Sequence, residues 1–295
     1  MRVLVLGATG LLGRVLLEEW RTDEVEGLCS RDADIRDRSQ LHTRFADFRP
    51  EYTVLASAYT DVDGCERDPK RAHEVNCVGA ANVAHECGEV GSQLLFVSTD
   101  YVFDGCTSVP YETGDQVNPL SVYGQSKAEG ERMVHEVLPC ACIVRTSWLF
   151  GANGGCFPNA ILEAARKGKK LSVVDDQIGR PTYNRDLAQT IIKLCRVGAQ
   201  GTVHASNSGS CSWHQFACHL LQAAGFADVP VEAIRTEELP RPARRPKHSV
   251  LSLSSLEAYG IQMRPWQDTI AHYIGERIPL NDSHQPVPRM EARTA

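Results

Sequence analysis

RVLVLGATGLLG, from Arg2 to Gly13, is the stretch on which the fold turns. Arg2 to Leu6 is a short run of buried-strand type, glycines follow at 7, 10 and 13, and Leu11 to Trp20 carries helical periodicity. A GxxGxxG placed between a strand and a helix answers a physical need. The turn must be tight, the backbone must come close to a pyrophosphate, and the helix N-terminus must present free N–H groups to that anion. Gly7, Thr9, Gly10, Leu11, Leu12 and Gly13 are therefore candidate dinucleotide-binding residues. Working outward, strands are expected at Val25 to Cys29, Thr53 to Ala58, Leu94 to Ser98 and Cys142 to Trp148. Helices are expected between them at Ser39 to Phe48, Cys65 to Gly88 (with Asp68-Pro69 near its start) and Pro119 to Val137. Strand and helix alternating at this spacing predict an α/β fold, a Rossmann-type doubly wound parallel sheet with helices on both faces.

The second half is less regular. Phe157 to Lys167, Asn184 to Val197 and Ser212 to Ala224 read as helices, and Gly201 to Ala205 as a strand. The Pro- and Arg-rich stretch from Pro230 to Pro246 is barred from being a long helix, and Leu256 to Ile274 is expected to close the fold. Residues 1–150 are thus expected to form the dinucleotide-binding domain, with later segments returning to it. Residues 151–278 would form a smaller C-terminal α/β substrate-binding lobe, and 279–295 a flexible tail. With 31 Lys and Arg against 37 Asp and Glu, the net charge of −6 argues against a nucleic-acid binder, which needs clustered cations. No apolar run approaches membrane-span length, and Gly7 ends the first apolar run too early for a secretory signal. The 11 cysteines are odd in number and form no CxxC pair, which fits small buried hydrophobes in a reducing cytoplasm.

The end of the second strand carries Cys29-Ser30-Arg31, where an NAD-preferring site places an acid on the ribose 2′-hydroxyl. Ser30 and Arg31 point instead to a 2′-phosphate and NADPH, while Asp32 leaves NADH open. Asp34 and Ile35 are placed near the adenine. Further on, Tyr123-Gly124-Gln125-Ser126-Lys127 is a YxxxK whose spacing puts phenol and ammonium on one helical face. A cation beside a phenol is expected to lower its pKa, and the phenol can protonate a carbonyl oxygen as hydride reaches its carbon. Thr99, at the C-terminal end of the fourth strand, is placed to hydrogen-bond the same oxygen.

With these residues and the segments ASAYTDVDGCERDP (56–69), VN (75–76), STDYVFDG (98–105), RTSWLFG (145–151), DDQIGRPT (175–182) and RPKHSVL (245–251), the chain resembles a known family. It resembles the extended short-chain dehydrogenase/reductase superfamily and, within it, the dTDP-4-dehydrorhamnose reductases, over roughly residues 1 to 275. The resemblance implies that Ala58, Tyr59 and Thr60 line the cofactor, with Tyr123 and Lys127 also touching it. It implies that Thr99, Asp100 and Tyr101 face a nucleotide-linked sugar, that Trp148 lies against that sugar, by stacking or by walling off water, and that Arg245 meets the nucleotide diphosphate. Related 4,6-dehydratases carry an acid where this chain has Tyr101, so the resemblance implies reduction rather than dehydration. No cysteine–histidine pair matches that of the GDP-fucose-forming epimerase/reductases, with Cys106 and Cys156 left open. Some family members hold magnesium at a homodimer contact through a carboxylate of the first helix. Arg14, Val15 and Leu16 stand there and Glu18 and Glu19 a turn later, so no metal is assigned, magnesium stays uncertain and the homodimer stays open. Cys156-Phe157 replaces the family's usual Asn-Phe. The expected activity is reduction of dTDP-4-dehydro-L-rhamnose in the cytoplasm. The alternatives are another nucleotide-linked 4-keto-6-deoxy sugar, or a non-catalytic subunit like the methionine adenosyltransferase beta subunit.

Overall fold

The computed structural model describes residues 1–277; the tail expected from residue 279 lies outside the described residues. In chain order the elements are β1 (Arg2–Leu6), α1 (Gly13–Glu19), β2 (Glu24–Leu28), α2 (Arg38–Phe48), β3 (Tyr52–Leu55), α3 (Val62–Arg67), α4 (Pro69–His73), α5 (Gly79–Val90), β4 (Gln93–Thr99), α6 (Val122–Val137) and β5 (Cys142–Thr146). There follow β6 (Leu149–Phe150), α7 (Phe157–Arg166), β7 (Leu171–Val174), β8 (Ile178–Gly179), β9 (Thr182–Tyr183), α8 (Asn184–Arg196), β10 (Gly201–His204), β11 (Cys211–Ser212), α9 (Trp213–Ala223), β12 (Val231–Ile234), α10 (Ser254–Glu257) and α11 (Ile270–Arg277).

Six strands form one parallel sheet in the order β10-β5-β4-β3-β1-β2. Strand period two explains its two cores. Val3 and Val5 face α1 and α8, where Val15, Leu16, Leu187 and Ile191 pack. Leu4 and Leu6 face the other way, toward Leu41, Phe45, Val83 and Val134 of α2, α5 and α6. The strand order reverses between β1 and β3, and such a switch point opens a crevice at the carboxyl ends of the strands. A third core, around Phe150, Leu162, Tyr183, Phe216, Trp266 and Tyr273, belongs to the later elements. β10 nevertheless joins the first sheet, and Leu256, Ile261 and Met263 return to its α1/α8 face.

Several expected elements are corrected. The single helix over Cys65 to Gly88 is broken. Asp68 caps a new start through the Arg71 amide, with Pro69 at the first helical position, and Glu74–Val78 forms a π turn before α5. The helix expected from Pro119 begins at Val122, capped by Ser121, and α1 begins at Gly13 rather than Leu11. The fifth strand stops at Thr146, because Trp148 adopts φ +46°. The Pro-rich stretch contains β12, which pairs with β7. Leu256 to Ile274 divides into α10, a 3₁₀ turn at Trp266–Thr269, and α11. All 11 cysteines are free thiols, and burial pushes Cys65 and Cys77 up to about 11. No helix among the described residues is long and apolar enough to cross a membrane.

Candidate active site

The site begins at the β1–α1 turn. Gly7 has φ +96°, and a Cβ there would meet the Ser57 amide nitrogen at 2.7 Å. A Cβ on Gly13 would meet the Gly7 carbonyl oxygen at 2.1 Å, so side chains are barred at both places and bare backbone faces the crevice. Among the described residues the amides of Leu11 and Leu12 have no hydrogen-bond partner. Gly10 closes the turn by donating to the Gly7 carbonyl at 2.9 Å, and Thr9 is exposed, its carbonyl accepting from Arg14. This cradle fits a dinucleotide pyrophosphate. At the end of β2, Ser30 and Arg31 are exposed. Asp32 is spent on its own turn, its carboxylate accepting from the Cys29 amide at 2.8 Å. Asp34 is paired with Arg36 at 2.6 Å, and Ile35 is buried against Gly79.

Ala58, Tyr59 and Thr60 follow β3 along the same crevice. Buried Asn76, projected inward by the π turn, fixes that segment. It accepts from the Tyr59 amide at 2.8 Å and donates to the Tyr59 carbonyl at 3.1 Å and to Ser126 Oγ at 2.9 Å. The segment after β3 is thereby tied to the helix that carries YxxxK. The VN motif contained this residue, but its role as a clamp was not legible there.

Tyr123 and Lys127 lie in the first turns of α6, and Thr99 ends β4. Thr99 Oγ1 accepts from the Tyr101 amide and donates to Asp100 Oδ1 at 3.1 Å. Asp100 is buried, also accepts from Ser249 Oγ, and is pushed up to about 7 by burial. The Tyr101 ring meets Tyr123 edge-on at 6.0 Å. The expected lowering of Tyr123 is not what the structure shows. Burial pushes this phenol above its ordinary value; the Thr99 hydroxyl opposes the rise and Asp100 and Tyr101 add to it. The Lys127 ammonium donates to the Val97 carbonyl at 2.8 Å and sits 3.9 Å over the Phe96 ring instead of meeting the phenol. Burial lowers Lys127 to about 7, with Glu131 opposing.

Glu131, one turn beyond Lys127, anchors a polar network absent from the sequence reading. It takes Arg145 of β5 at 2.7 Å and also accepts from Ser98 Oγ. Both charged side chains are 7% exposed. An arginine inside the apolar strand CIVRT was the available signal.

Two expected substrate residues have partners within the chain. Arg245 forms a two-point ion pair with Asp63 of α3, at 3.0 and 3.2 Å, and Arg241 adds a contact to the same carboxylate at 3.5 Å. Trp148 holds a left-handed conformation that costs about 1–3 kcal/mol in a bulky residue. Its indole stacks on Trp213 at 3.6 Å and 7° rather than standing open to a sugar. Elsewhere, Glu18, Glu19 and Glu276 gather around the Arg185 guanidinium. Cys218 touches His214 at 3.6 Å, but that ring nitrogen is also held by the Val231 carbonyl, and burial raises the thiol.

A doubly wound sheet, a glycine cradle at its switch point and a Thr–Tyr–Lys set at the strand ends define a nicotinamide-dependent oxidoreductase of the short-chain dehydrogenase/reductase type. The chain belongs to the RmlD substrate binding domain family, which matches residues 1–278. It is 37% identical over 283 residues to the spore coat polysaccharide biosynthesis protein SpsK of Bacillus subtilis (strain 168), covering 95% of this chain and 99% of that protein. It is 38% identical over 282 residues to a dTDP-4-dehydrorhamnose reductase of Aggregatibacter actinomycetemcomitans, covering 90% and 96%. A dTDP-4-dehydrorhamnose reductase of Bacillus anthracis str. Ames, solved in complex with NADP, superposes with a TM-score of 0.91 at 37% identity, covering 93% of this chain and 99% of that one.

Proposed function

We propose that this chain reduces the C4 keto group of dTDP-4-dehydro-L-rhamnose to give dTDP-L-rhamnose, preferring NADPH to NADH. The observation that carries the reading is the gathering of Thr99, at the end of β4, with Tyr123 and Lys127, four residues apart in the first turns of α6, at the strand ends where the glycine cradle also lies. A nicotinamide dinucleotide bound in that cradle supplies the hydride. Tyr123 Oη donates a proton to the sugar O4, and Thr99 Oγ1, turning its hydroxyl proton from Asp100 Oδ1 to the substrate, would hold that oxygen in line. Lys127, one helical turn beyond Tyr123, would hold the ribose of a bound cofactor. Asp100 and Tyr101 frame the sugar. With a tyrosine at 101, no second acid stands beside Asp100 to drive dehydration.

The NADPH preference rests on Arg31. Its guanidinium is exposed with no partner among the described residues, whereas Asp32, the rival acid, is engaged by a backbone amide. Residues 1–150 with β10 serve as the cofactor unit, and the third core with its surrounding strands serves as the sugar-nucleotide lobe. Arg185 already occupies an oxygen of each of Glu18, Glu19 and Glu276, and no group of three or more His, Cys, Asp or Glu among the described residues is arranged to hold a metal ion, so a homodimer formed through this face would not be metal-linked. Free, mostly buried thiols fit the cytoplasm.

The test is cofactor oxidation with a panel of dTDP-, UDP- and GDP-linked 4-keto-6-deoxyhexoses. Fastest turnover is expected with dTDP-4-dehydro-L-rhamnose and NADPH. Faster turnover of another hexose moves the substrate to that sugar, and activity with none rejects the enzyme in favour of a nucleotide-binding subunit. Arg31→Ala should lower kcat/KM for NADPH at least about tenfold and spare NADH; equal loss with both would reject the 2′-phosphate assignment.

A further inference from the structure

The surroundings of Trp148 go beyond a wall for the sugar. A Cβ built on Gly179 would lie 2.4 Å from Cε2 of this indole, 2.6 Å from Nε1 and 2.7 Å from Cζ2, which places the Gly179 backbone over one face of the ring. The Trp213 ring lies parallel, with centroids 3.6 Å apart. It must cover the opposite face, because a ring on the Gly179 side would meet that Cβ before any atom of Trp148 did. Both covers come from one small unit. β8 and β11 pair antiparallel, Cys211 opposite Gly179 and Ser212 opposite Ile178. Ser212 caps α9 by accepting from the Gln215 amide at 3.0 Å, donates to Asp175, and so fixes Trp213 as the first residue of the helix. Behind Trp213, Phe157 closes the stack at 4.6 Å. The strained φ of Trp148 turns its ring into this slot. Trp148 remains half-buried, and its Nε1–H has no hydrogen-bond partner among the described residues.

We propose that Trp213 is a positioning residue for substrate recognition: with Gly179 it clips the Trp148 indole between two covers, so that the nucleotide-linked sugar meets the indole edge and its Nε1–H rather than its face. A clipped edge offers one donor in a fixed direction, whereas a free face is a platform tolerant of many pyranose shapes. The clip would thus set sugar selectivity through the orientation of its neighbour's ring. The inference rests on the functional reading above, and its test separates the two.

The experiment compares the full chain with its Trp213→Ala and Trp213→Phe variants, using NADPH and the same 4-keto-6-deoxyhexose panel. Two stacked indoles also give an exciton couplet in circular dichroism, which reports the clip without turnover. Trp213→Ala is expected to lose the couplet, to raise the KM for the preferred nucleotide-sugar about tenfold, to narrow the gap between preferred and other hexoses, and to leave the KM for NADPH unchanged. Trp213→Phe keeps an aromatic cover and should restore most of the selectivity. Loss of the couplet with sugar KM and selectivity unaltered would overturn the proposal. So would an equal rise in the KM for both substrates, which marks a merely structural residue. If Trp213→Ala does not fold, Trp213→Phe and Trp213→Leu replace it, and equal selectivity in those two variants overturns the proposal. Turnover by the unsubstituted chain reports on the functional reading alone. Should that chain turn over nothing, quenching of tryptophan fluorescence by dTDP-L-rhamnose decides the clip: tighter or equal binding by Trp213→Ala overturns it, weaker binding supports it.

Discussion

At the scale of single residues, Tyr123 and Lys127 depart from the simplest view of a YxxxK pair. Burial holds this phenol above its ordinary value, so it stays protonated at neutral pH but is a weaker acid, and its proton moves only as negative charge builds on the sugar O4. Lys127 need not ionise it and is held from below by the Val97 carbonyl. Tyr123→Phe removes the donor and little else, since the ring already packs edge-on against Tyr101. Turnover should fall by about 10²–10⁴-fold while NADPH still binds in fluorescence titration. Near-normal turnover would mean that another group protonates O4. The placement of Tyr123 and Lys127 on one helix was legible in the sequence because a spacing of four on a helix is a local fact. The direction of the pKa was not, because it depends on burial by β4 and by the 3₁₀ turn at Asp100–Val102 that follows it.

At the scale of elements, the six-stranded sheet was legible because short continuous apolar runs alternate with helical segments along the chain and the first is followed by the glycine turn. The two-residue strands β6, β8, β9 and β11 were not, since two residues carry no period and their partners lie far along the chain. The π turn inside the expected long helix was hidden for a related reason: its purpose, turning Asn76 inward to Tyr59 and Ser126, is a contact between distant segments. The seat of α6 on the sheet is likewise set by a buried pair. Arg145 and Glu131 join β5 to α6, and Ser98 adds β4. Glu131→Gln leaves a buried guanidinium without its counter-charge, which costs about 3–5 kcal/mol and should lower Tm by on the order of 10 °C. It also removes the carboxylate that holds Lys127 up, so the pKa of Lys127 falls further and the matching limb of the kcat–pH profile moves to lower pH. An unchanged profile with a lowered Tm would leave Glu131 a purely structural role.

At the scale of the whole molecule, the later segments are bound back to the cofactor sheet by contacts that span the chain. Ser249 reaches Asp100, Arg245 reaches Asp63, and β10 extends the sheet itself. His204 lies at that last junction, fully buried between the sheet edge and the Phe103 ring, which it meets edge-on at 5.9 Å. Both ring nitrogens are buried without a hydrogen-bond partner among the described residues. Burial first, and the neighbouring Arg145 guanidinium second, pull its pKa down to about 4 from an ordinary 6.5, with the nearby Ser252 backbone, the Glu112 carboxylate and the Tyr111 backbone opposing them. Between those values the unfolded chain holds the proton and the folded chain refuses it. The fold therefore loses stability as pH falls from about 6.5 toward 4, by about 3 kcal/mol in all at about 1.4 kcal/mol per pH unit. His204→Leu removes the titrating group and keeps an apolar side chain against Phe103. Its midpoint in urea should exceed that of the unsubstituted chain at pH 5 by more than it does at pH 8, where both histidine states are neutral. Parallel pH curves for the two proteins would show that His204 is protonated alike in the folded and unfolded chains, and that acid sensitivity at this junction arises from other groups.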